Sequence, residues 1–248
     1  MPDSLYDSLE CLSEKIEAEG LYTTFSSDKL VRRIKRSSET EKIILSRFLR
    51  ARRFNVDSAF DSFLACLKFR EAENVNSVGL DEFKNPLATF PFTTTGFCTF
   101  DGEPLLYGRA SALDRFKIDP AIFHRGFISF LEFLGDTFEP STMFVIIFDF
   151  TDFSPIRNVH FGCARDMLKV MQDFYPERLS KIFLVNYPST LYGVYKIVSP
   201  FIDENTRSKL EWIPKNSLEQ LLRYVSMEAI PYSIGGMAVY PVPPLSSQ

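Results

Sequence analysis

The stretch from 172 to 210, QDFYPERLSKIFLVNYPSTLYGVYKIVSPFIDENTRSKL, constrains the fold more than any other part of the chain. It predicts a polar turn at 173–178, a buried strand at 181–186 and a helix at 190–198. That helix is apolar on nearly every face, so it has too little polar surface to stand over water. We therefore expect it to cover a hydrophobic surface or to contact a membrane.

The chain before this stretch begins with a helical pattern. Leu5, Leu9, Leu12 and Ile16 recur at the three-to-four spacing of an amphipathic helix over 3–19. Two further helices are predicted at 39–53 and 56–73, the first opened by a capping box of Ser38 and Glu41. A Ser/Thr-rich link separates the first helix from the second. We interpret residues 1–75 as an N-terminal helical unit.

From residue 96 the pattern changes to strands that alternate with helices. An Asp-Gly turn at 101–102 predicts a β-hairpin, and MFVIIFDF at 143–150 has the continuous apolar character of a central strand. The remaining elements are predicted as helices at 119–138, 158–174 and 218–224 and a short strand at 207–212. This order predicts an α/β domain with a largely parallel sheet over 76–240, followed by a tail at 241–248.

Charge is distributed unevenly along the chain. Residues 31–53 hold nine basic and two acidic side chains, although the net charge of the whole chain is -4. A local basic patch on an acidic protein favours a local anionic partner, such as a phosphate or an anionic lipid surface, over nucleic acid. A solvated helix face is the alternative. The 25 phenylalanines indicate either a bulky core or a cavity for an acyl chain.

Several classes of protein are disfavoured by the sequence. The four cysteines are scattered and form no metal-ligand pattern, so neither a metal nor a cofactor is expected. The acidic N-terminus is unlike a signal peptide, and no apolar stretch is long enough to span a membrane, which leads us to expect a cytosolic protein. Nucleophile-elbow, phosphate-loop and dinucleotide motifs are absent. His124 is interpreted as a packing histidine among the phenylalanines of a predicted helix, and His160 has no plausible nucleophile nearby in the sequence. The chain is therefore predicted not to be an enzyme.

Several ordered motifs resemble one known family. The segments LSRFLRARRFNVDSAFDSFLACLKFRE, DGEPLLYGR, the FDF strand end, the 172–210 stretch and IPYSIGG are similar to successive landmarks of CRAL-TRIO proteins. The resemblance covers 39–236 and looks strongest to the SEC-fourteen-like phosphatidylinositol transfer branch. It implies a helical N-terminal element and a sheet that forms the floor of a lipid pocket. It also implies that the helix at 190–198 is a mobile gate over that pocket.

The resemblance also implies a headgroup site for phosphatidylinositol. The matching positions are Arg52, Arg53, Glu177, Thr206 and Lys209, where the second basic residue is Arg instead of the expected Lys. Charge-assisted donors suit a phosphodiester, and a carboxylate suits inositol hydroxyls. Each residue alone also has an ordinary structural interpretation, as a helix-end cation, a turn carboxylate or a surface lysine.

The acyl-chain pocket departs from the family at the positions that bind choline lipids. Phe144, Ile146 and Met171 stand where small hydroxyl side chains hold the choline phosphate in related proteins. An unmet polar group there would cost about 1 to 3 kcal/mol, so we expect poor phosphatidylcholine binding. A second ligand, if any, should be more apolar, such as a sterol. The gate and pocket are completed by Leu191, Val194, Tyr195, Val198 and Phe201.

The sequence thus supports a non-catalytic carrier or presenter of phosphatidylinositol that contacts membranes transiently. One rival is a carrier of a sterol or another hydrophobic small molecule. A second rival is a regulatory module that presents lipid to a lipid kinase. A hydrolase comes third, because no nucleophile motif supports it.

Overall fold

The computed structural model describes residues 5–79, 91–215 and 217–240. The predicted tail at 241–248 and residues 80–90, before the hairpin, lie outside these residues. The helices are α1 Leu5–Ala18, α2 Leu21–Thr24, α3 Lys29–Ile34, α4 Ser38–Ala51, α5 Val56–Ala72, α6 Pro120–Thr137, α7 Pro155–Asn158, α8 Phe161–Phe174, α9 Leu191–Val198, α10 Glu204–Ser208 and α11 Leu218–Leu221. The strands are β1 Phe92–Cys98, β2 Pro104–Arg109, β3 Phe144–Asp149, β4 Leu179–Val185 and β5 Leu210–Trp212.

One compact unit is helical. It contains the described residues 5–79 together with 131–141 and 169–177. Its core is formed by the apolar stripes of α1, α4 and α5, as the helical spacing predicts, and Leu12, Leu49 and Phe63 are fully buried there. Phe63 meets the ring of Phe48 edge-on, with centroids 5.2 Å apart. Burial of this stripe holds helices together that would be only marginally stable alone.

A buried ionic cluster lies within this helical unit. Arg70 is 2% exposed and donates to both carboxylate oxygens of Glu132, at 2.7 and 3.1 Å, and to Asp28 Oδ1 at 2.8 Å. Tyr175 adds a hydroxyl bond of 2.9 Å to Glu132. Burial alone would raise the pKa of the Glu132 carboxyl, but the hydrogen bonds and charge of Arg70 outweigh burial and keep that pKa below its ordinary value.

The helical unit also corrects two details of the sequence interpretation. The predicted Ser/Thr-rich link contains the short helices α2 and α3. The predicted capping box of Ser38 and Glu41 is wrong by one residue, because Ser37 is the N-cap and accepts from the N–H of Thr40 at 3.1 Å. Glu41 instead accepts the hydroxyls of Ser13 and Tyr22, at 2.8 and 2.7 Å. Contacts between helices therefore decide where this carboxylate points.

The second compact unit is built on a five-stranded sheet. It contains the described parts of 91–130, 142–168 and 178–240. The strand order is β1-β2-β3-β4-β5, with β1 antiparallel to β2 and every other pair parallel. The predicted hairpin is present, and Gly102 adopts the left-handed φ of 82° that its turn requires. The expected α/β architecture is confirmed.

The two faces of the sheet are covered by different segments of this unit. On one face, Val145, Ile147 and Phe183 pack against the C-terminal part of the chain through Val225 and Ile230. The other face carries its apolar side chains toward α9: Leu191 packs with Leu184, Phe150 and Ala110, and half-buried Phe148, Ile182, Val194 and Trp212 border this cluster. The alternation of side chains along β3 and β4 separates the two sets.

Several predicted boundaries differ from the observed ones. The helix predicted at 158–174 begins later, as α8, and a separate short helix, α7, ends at Asn158. The strand predicted at 207–212 is confined to β5, since residues before it belong to α10, and the helix predicted at 218–224 ends with α11. In contrast, the predicted start of α6 is confirmed, because Asp119 accepts from the N–H groups of Ala121 and Ile122 at 2.8 and 3.1 Å.

Candidate functional site

Arg52 and Arg53 lie at the sharp turn that joins α4 to α5. Arg52 caps the end of α4, with its N–H bonded to the carbonyls of Phe48 and Leu49 at 3.2 and 3.1 Å. Arg53 and Phe54 follow in left-handed conformations, with φ of 52° and 61°. This conformation is unusual for side chains without special turn propensity. The turn therefore fixes the backbone of both arginines.

The Arg52 side chain reaches the end of α8 in the helical unit. Its Nη2 lies 3.9 Å from Asp173 Oδ1, and Nη1 donates to the carbonyl of Ala51 at 3.3 Å. Asp173 also receives Lys169 Nζ at 3.0 Å. An ion pair this long between half-exposed groups contributes little stability. The contact nevertheless places Arg52 beside the segment that leads to Glu177.

Glu177 lies in the turn that follows α8, and its own backbone is left-handed, with φ of 55°. Its side chain is half-buried. Glu177, Arg52 and Arg53 all belong to the helical unit. An anionic acceptor and two cationic donors are thus carried by turns of the same compact unit.

Thr206 and Lys209 belong to the sheet unit, at α10. Asp203 caps this helix by accepting the Thr206 N–H and hydroxyl, both at 2.8 Å. The carbonyl of Lys209 accepts from the N–H of Ile182 at 2.8 Å. Arg207 donates to the carbonyl of Ser199 at 2.9 Å and so ties α10 to the residues that follow α9. The backbones of Thr206 and Lys209 are therefore held between the end of α9 and the edge of β4.

The predicted headgroup residues thus fall into two groups. Arg52, Arg53 and Glu177 lie in the helical unit, and Thr206 and Lys209 lie in the sheet unit. In the first group, the arginines lie on the turn between α4 and α5, and Glu177 lies on the turn after α8. In the second group, both residues lie at α10.

The predicted gate, α9, is an eight-residue helix with a single buried side chain, Leu191. Val194 is half-buried beside it, and the Tyr195 ring meets Trp212 edge-on, with centroids 5.4 Å apart. Other apolar residues point toward solvent, since Ile197 is 55% exposed and Phe201 is 48% exposed. The helix therefore covers the sheet with one side and leaves apolar groups on the other.

Residues predicted for the acyl-chain pocket differ in their surroundings. Phe144 is buried under the guanidinium of Arg178, which lies 4.7 Å from the ring centroid. Ile146 is half-buried on the same strand, and Val198 is half-buried at the end of α9. Met171 is also half-buried, but it belongs to the helical unit, whereas Phe144 and Ile146 belong to the sheet unit.

Sequence reasoning missed a polar network at the carboxyl ends of β3 and β4. Asp149 is fully buried and accepts hydrogen bonds from Tyr107 at 2.9 Å, Ser233 at 2.6 Å and Asn186 at 3.0 Å. Burial would raise the pKa of Asp149, but these donors and Thr151 lower it below the ordinary value. Asp149 belongs to the FDF motif and Ser233 to the IPYSIGG motif, but only the fold shows that the two residues meet.

An open cleft of about 390 Å³ lies beside this network, lined by residues that include Phe153, Asn186, Lys215 and Ser233. Among the described residues, no group of three or more His, Cys, Asp or Glu side chains is placed to hold a metal ion. Across the same residues, no helix is both long and apolar enough to cross a bilayer.

Two family models match the chain. The CRAL/TRIO domain matches residues 90–236, and the CRAL/TRIO N-terminal domain matches residues 3–65. Together they cover both the sheet unit and most of the helices before it.

Known proteins show the same relationship. A CRAL-TRIO domain-containing protein of Schizosaccharomyces pombe is 31% identical over 79% of this chain, and Patellin-4 of Arabidopsis thaliana is 26% identical over 81%. This chain spans only 19% and 39% of the lengths of those two proteins. The Sec14 cytosolic factor of Schizosaccharomyces pombe is 25% identical over 77% of this chain and 73% of its own length.

Among solved structures, the crystal structure of Sfh5 superposes with a TM-score of 0.63. It covers 87% of this chain and 82% of its own, at 15% sequence identity. This likeness shows a shared fold.

Proposed function

Because the chain belongs to the CRAL/TRIO domain family of Sec14-like lipid-binding and transfer proteins, we propose that it carries phosphatidylinositol between membranes or presents it there. No covalent chemistry is part of this proposal. The observation that carries it is the position of α9, which covers a half-buried apolar face of the sheet with only one buried side chain. A helix so weakly anchored suits a gate over a lipid.

The proposed headgroup contacts follow from the chemistry of the two groups of residues. Arg52, Arg53 and Lys209 supply cationic donors for the phosphodiester, and Thr206 supplies a hydroxyl. Glu177 supplies an acceptor for inositol hydroxyls.

The acyl chains are proposed to lie among Phe144, Ile146, Met171 and the residues of α9. Phe144, Ile146 and Met171 carry no hydroxyl and would leave a choline phosphate beside them without partners, at about 1 to 3 kcal/mol for each unmet group. Phosphatidylcholine is therefore proposed to bind poorly. Phe144 is well packed, so replacing it with a hydroxyl residue would also cost core stability.

The domain division proposed for this function assigns 1–75 to the helical unit, 76–240 to the lipid-binding domain and 241–248 to a tail. We place the protein in the cytoplasm, with transient membrane contact. A second hydrophobic ligand and a lipid kinase are proposed as further partners.

A second candidate function rests on the aromatic side chains of the sheet face beneath α9. The sheet face toward α9 carries Phe148 and Trp212, whose rings suit a compact apolar molecule as well as flexible chains. A sterol or similar small molecule would then occupy the pocket, and the basic residues would serve only for docking.

Mass spectrometry of the bound lipid tests both candidates. The full chain is incubated with mixed vesicles, reisolated and extracted. Enrichment of phosphatidylinositol over phosphatidylcholine is expected. Recovery of a sterol alone would replace the first candidate by the second. Stimulation of a lipid kinase without lipid transfer between vesicles would instead identify a presenting module.

A further inference from the structure

Two segments that follow neighbouring parallel strands are fastened together in the sheet unit. Residues 113–118 follow β2, and α7 follows β3. The N–H of Arg115 donates to the carbonyl of Arg157 at 2.9 Å, and the Asn158 side chain donates to the carbonyl of Leu113 at 2.5 Å. Asn158 itself is buried. These bonds hold the backbone next to Phe116 close to the backbone next to Ile156.

Both of these apolar side chains project into solvent. Phe116 is 69% exposed and Ile156 is 73% exposed. A single exposed apolar residue needs no explanation, but here two large ones lie on backbone segments that are hydrogen-bonded to each other. Phe161, at the start of α8, is another exposed apolar residue nearby in the chain, at 45%. None of the three contributes to the core.

The surroundings of these side chains are basic. Arg115, Lys117 and Arg157 are exposed, and the Arg115 guanidinium lies 5.0 Å from the Phe116 ring centroid. Asp114 is the nearby acidic residue, but it is buried and its Oδ2 is taken by Arg157 Nη2 at 3.0 Å. Asp119, further along the chain, caps α6 through its carboxylate. Arg115, Lys117 and Arg157 thus outnumber Asp114 and Asp119 by one positive charge, on a chain of net charge -4.

We propose that Arg115, Phe116, Lys117, Ile156 and Arg157, here called the strand-end patch, dock the protein on an anionic lipid surface. Projecting apolar side chains enter the interface between headgroups and acyl chains, while neighbouring cations meet anionic headgroups. A protein partner would need ready-made pockets for both side chains, whereas a fluid lipid interface does not. This inference rests on the membrane contact in the proposed function and assigns it to residues outside α9.

Vesicle flotation tests the proposal with the full chain. One vesicle population contains phosphatidylcholine alone, and a second also contains phosphatidylserine. The wild-type protein is expected to float with the anionic vesicles, and added salt should weaken this binding. The variant Phe116→Ser with Lys117→Glu should lose more than about tenfold in anionic-vesicle affinity, because it removes one apolar contact and reverses one charge.

A matched control comes from the same unit. Phe100 is 66% exposed, and Arg223 is also exposed. The variant Phe100→Ser with Arg223→Glu makes the same chemical changes elsewhere and should float like the wild type. A second patch variant, Ile156→Ser with Arg115→Glu, leaves the Arg157 to Asp114 pair intact. It should reproduce the loss even if the first variant folds poorly.

Two results would overturn the inference. One is a folded patch variant that floats like the wild type. The other is a wild-type protein that floats with neither vesicle population, and this result would favour an acidic protein partner instead. Mass spectrometry of bound lipid separates this result from failure of the proposed function. A patch variant that keeps its phosphatidylinositol but fails to dock supports the inference. A wild-type protein that docks through the patch but carries no phosphatidylinositol contradicts the proposed ligand and leaves the docking inference intact.

Discussion

The indole ring of Trp212 lies almost parallel to the phenol ring of Tyr192, with centroids 4.8 Å apart and 13° between the planes. Trp212 belongs to β5, and Tyr192 belongs to α9. Tyr187 and Tyr195 meet the same indole edge-on, at 5.0 and 5.4 Å. These rings join α9 to the edge of the sheet, and Trp212 is the single tryptophan of the chain.

Removal of this stacking should loosen α9. An aromatic pair contributes about 0.5 to 1.5 kcal/mol beyond the area that it buries, so Tyr192→Ala should speed lipid release about two- to tenfold. Tryptophan fluorescence reports directly on the contact, and its spectrum should shift in the variant. Tyr232→Ala removes a tyrosine that is 78% exposed and should change neither quantity. An unaltered Tyr192→Ala protein would show that the stack does not hold α9.

Loss of Arg70 should destabilise the helical unit strongly. Arg70→Met leaves Glu132 and Asp28 as buried carboxylates without their cation, which costs about 3 to 5 kcal/mol. The free energy of unfolding in urea measures this cost. Combining Arg70→Met with Glu132→Leu should recover much of it, because the main uncompensated charge is gone. Arg32→Ala changes an exposed arginine and should stay near the wild-type value. An Arg70→Met protein with the wild-type free energy of unfolding would contradict the stabilising role assigned to this ionic cluster.

The same cluster predicts a dependence of stability on pH. The pKa of Glu132 is lower in the folded state than in the unfolded state, so its contribution is complete above about pH 5. As the pH falls through the folded-state pKa, protonation of Glu132 removes that contribution, and the free energy of unfolding should decrease. Glu132→Gln should start from lower stability and lose less of it on acidification. Parallel acid-unfolding curves for the two proteins would exclude this origin.

Gly236 should not tolerate a side chain. A Cβ atom built there would lie 2.1 Å from the carbonyl oxygen of Ile230, closer than any real contact. Gly236→Ala should therefore lower the free energy of unfolding by at least about 1 to 3 kcal/mol. A Cβ atom added to Gly193, within α9, would meet no atom within 4 Å beyond its chain neighbours and the backbone of its own helix, so Gly193→Ala serves as the control. It should be neutral or stabilising by up to about 1 kcal/mol, because Ala favours a helix more than Gly does.

Phosphatidylinositol transfer should depend on the cations Arg52 and Lys209. Arg52→Ala with Lys209→Ala removes two charge-assisted donors, and transfer should fall at least about tenfold while thermal stability is retained. Arg32→Ala with Arg223→Ala removes the same charge from exposed positions and should transfer normally. Undiminished transfer by the first variant would remove Arg52 and Lys209 from the proposed site.

Elements governed by local patterns were predictable from the sequence. The long helices follow from apolar periodicity, and the parallel strand β3 follows from a continuous apolar run. Asp119 at the start of α6 follows from capping chemistry. The capping box at Ser38 was wrong because Glu41 bonds with hydroxyls from two other helices. Short helices such as α2 escaped prediction because packing, more than propensity, stabilises them.

For the candidate site, sequence patterns located residue types but not their grouping. The apolar character of α9 indicated that it covers a hydrophobic surface. The packing of Leu191, in α9, with Leu184 of the sheet agrees with that expectation. Nothing in the spacing of Arg52 and Glu177 indicates that both belong to one compact unit. The partners of Asp149 were also hidden, because Ser233 lies 84 residues away along the chain.

The unequal covering of the sheet has a consequence for how rapidly different amide hydrogens exchange with solvent. Strand β3 is bonded on both edges, so its amides open only when most of the unit unfolds. Helix α9 has eight residues and one buried side chain, so a small local opening exposes its amides. A cargo beneath α9 could therefore leave through a fluctuation that costs only a fraction of the global free energy of unfolding, with the sheet still intact.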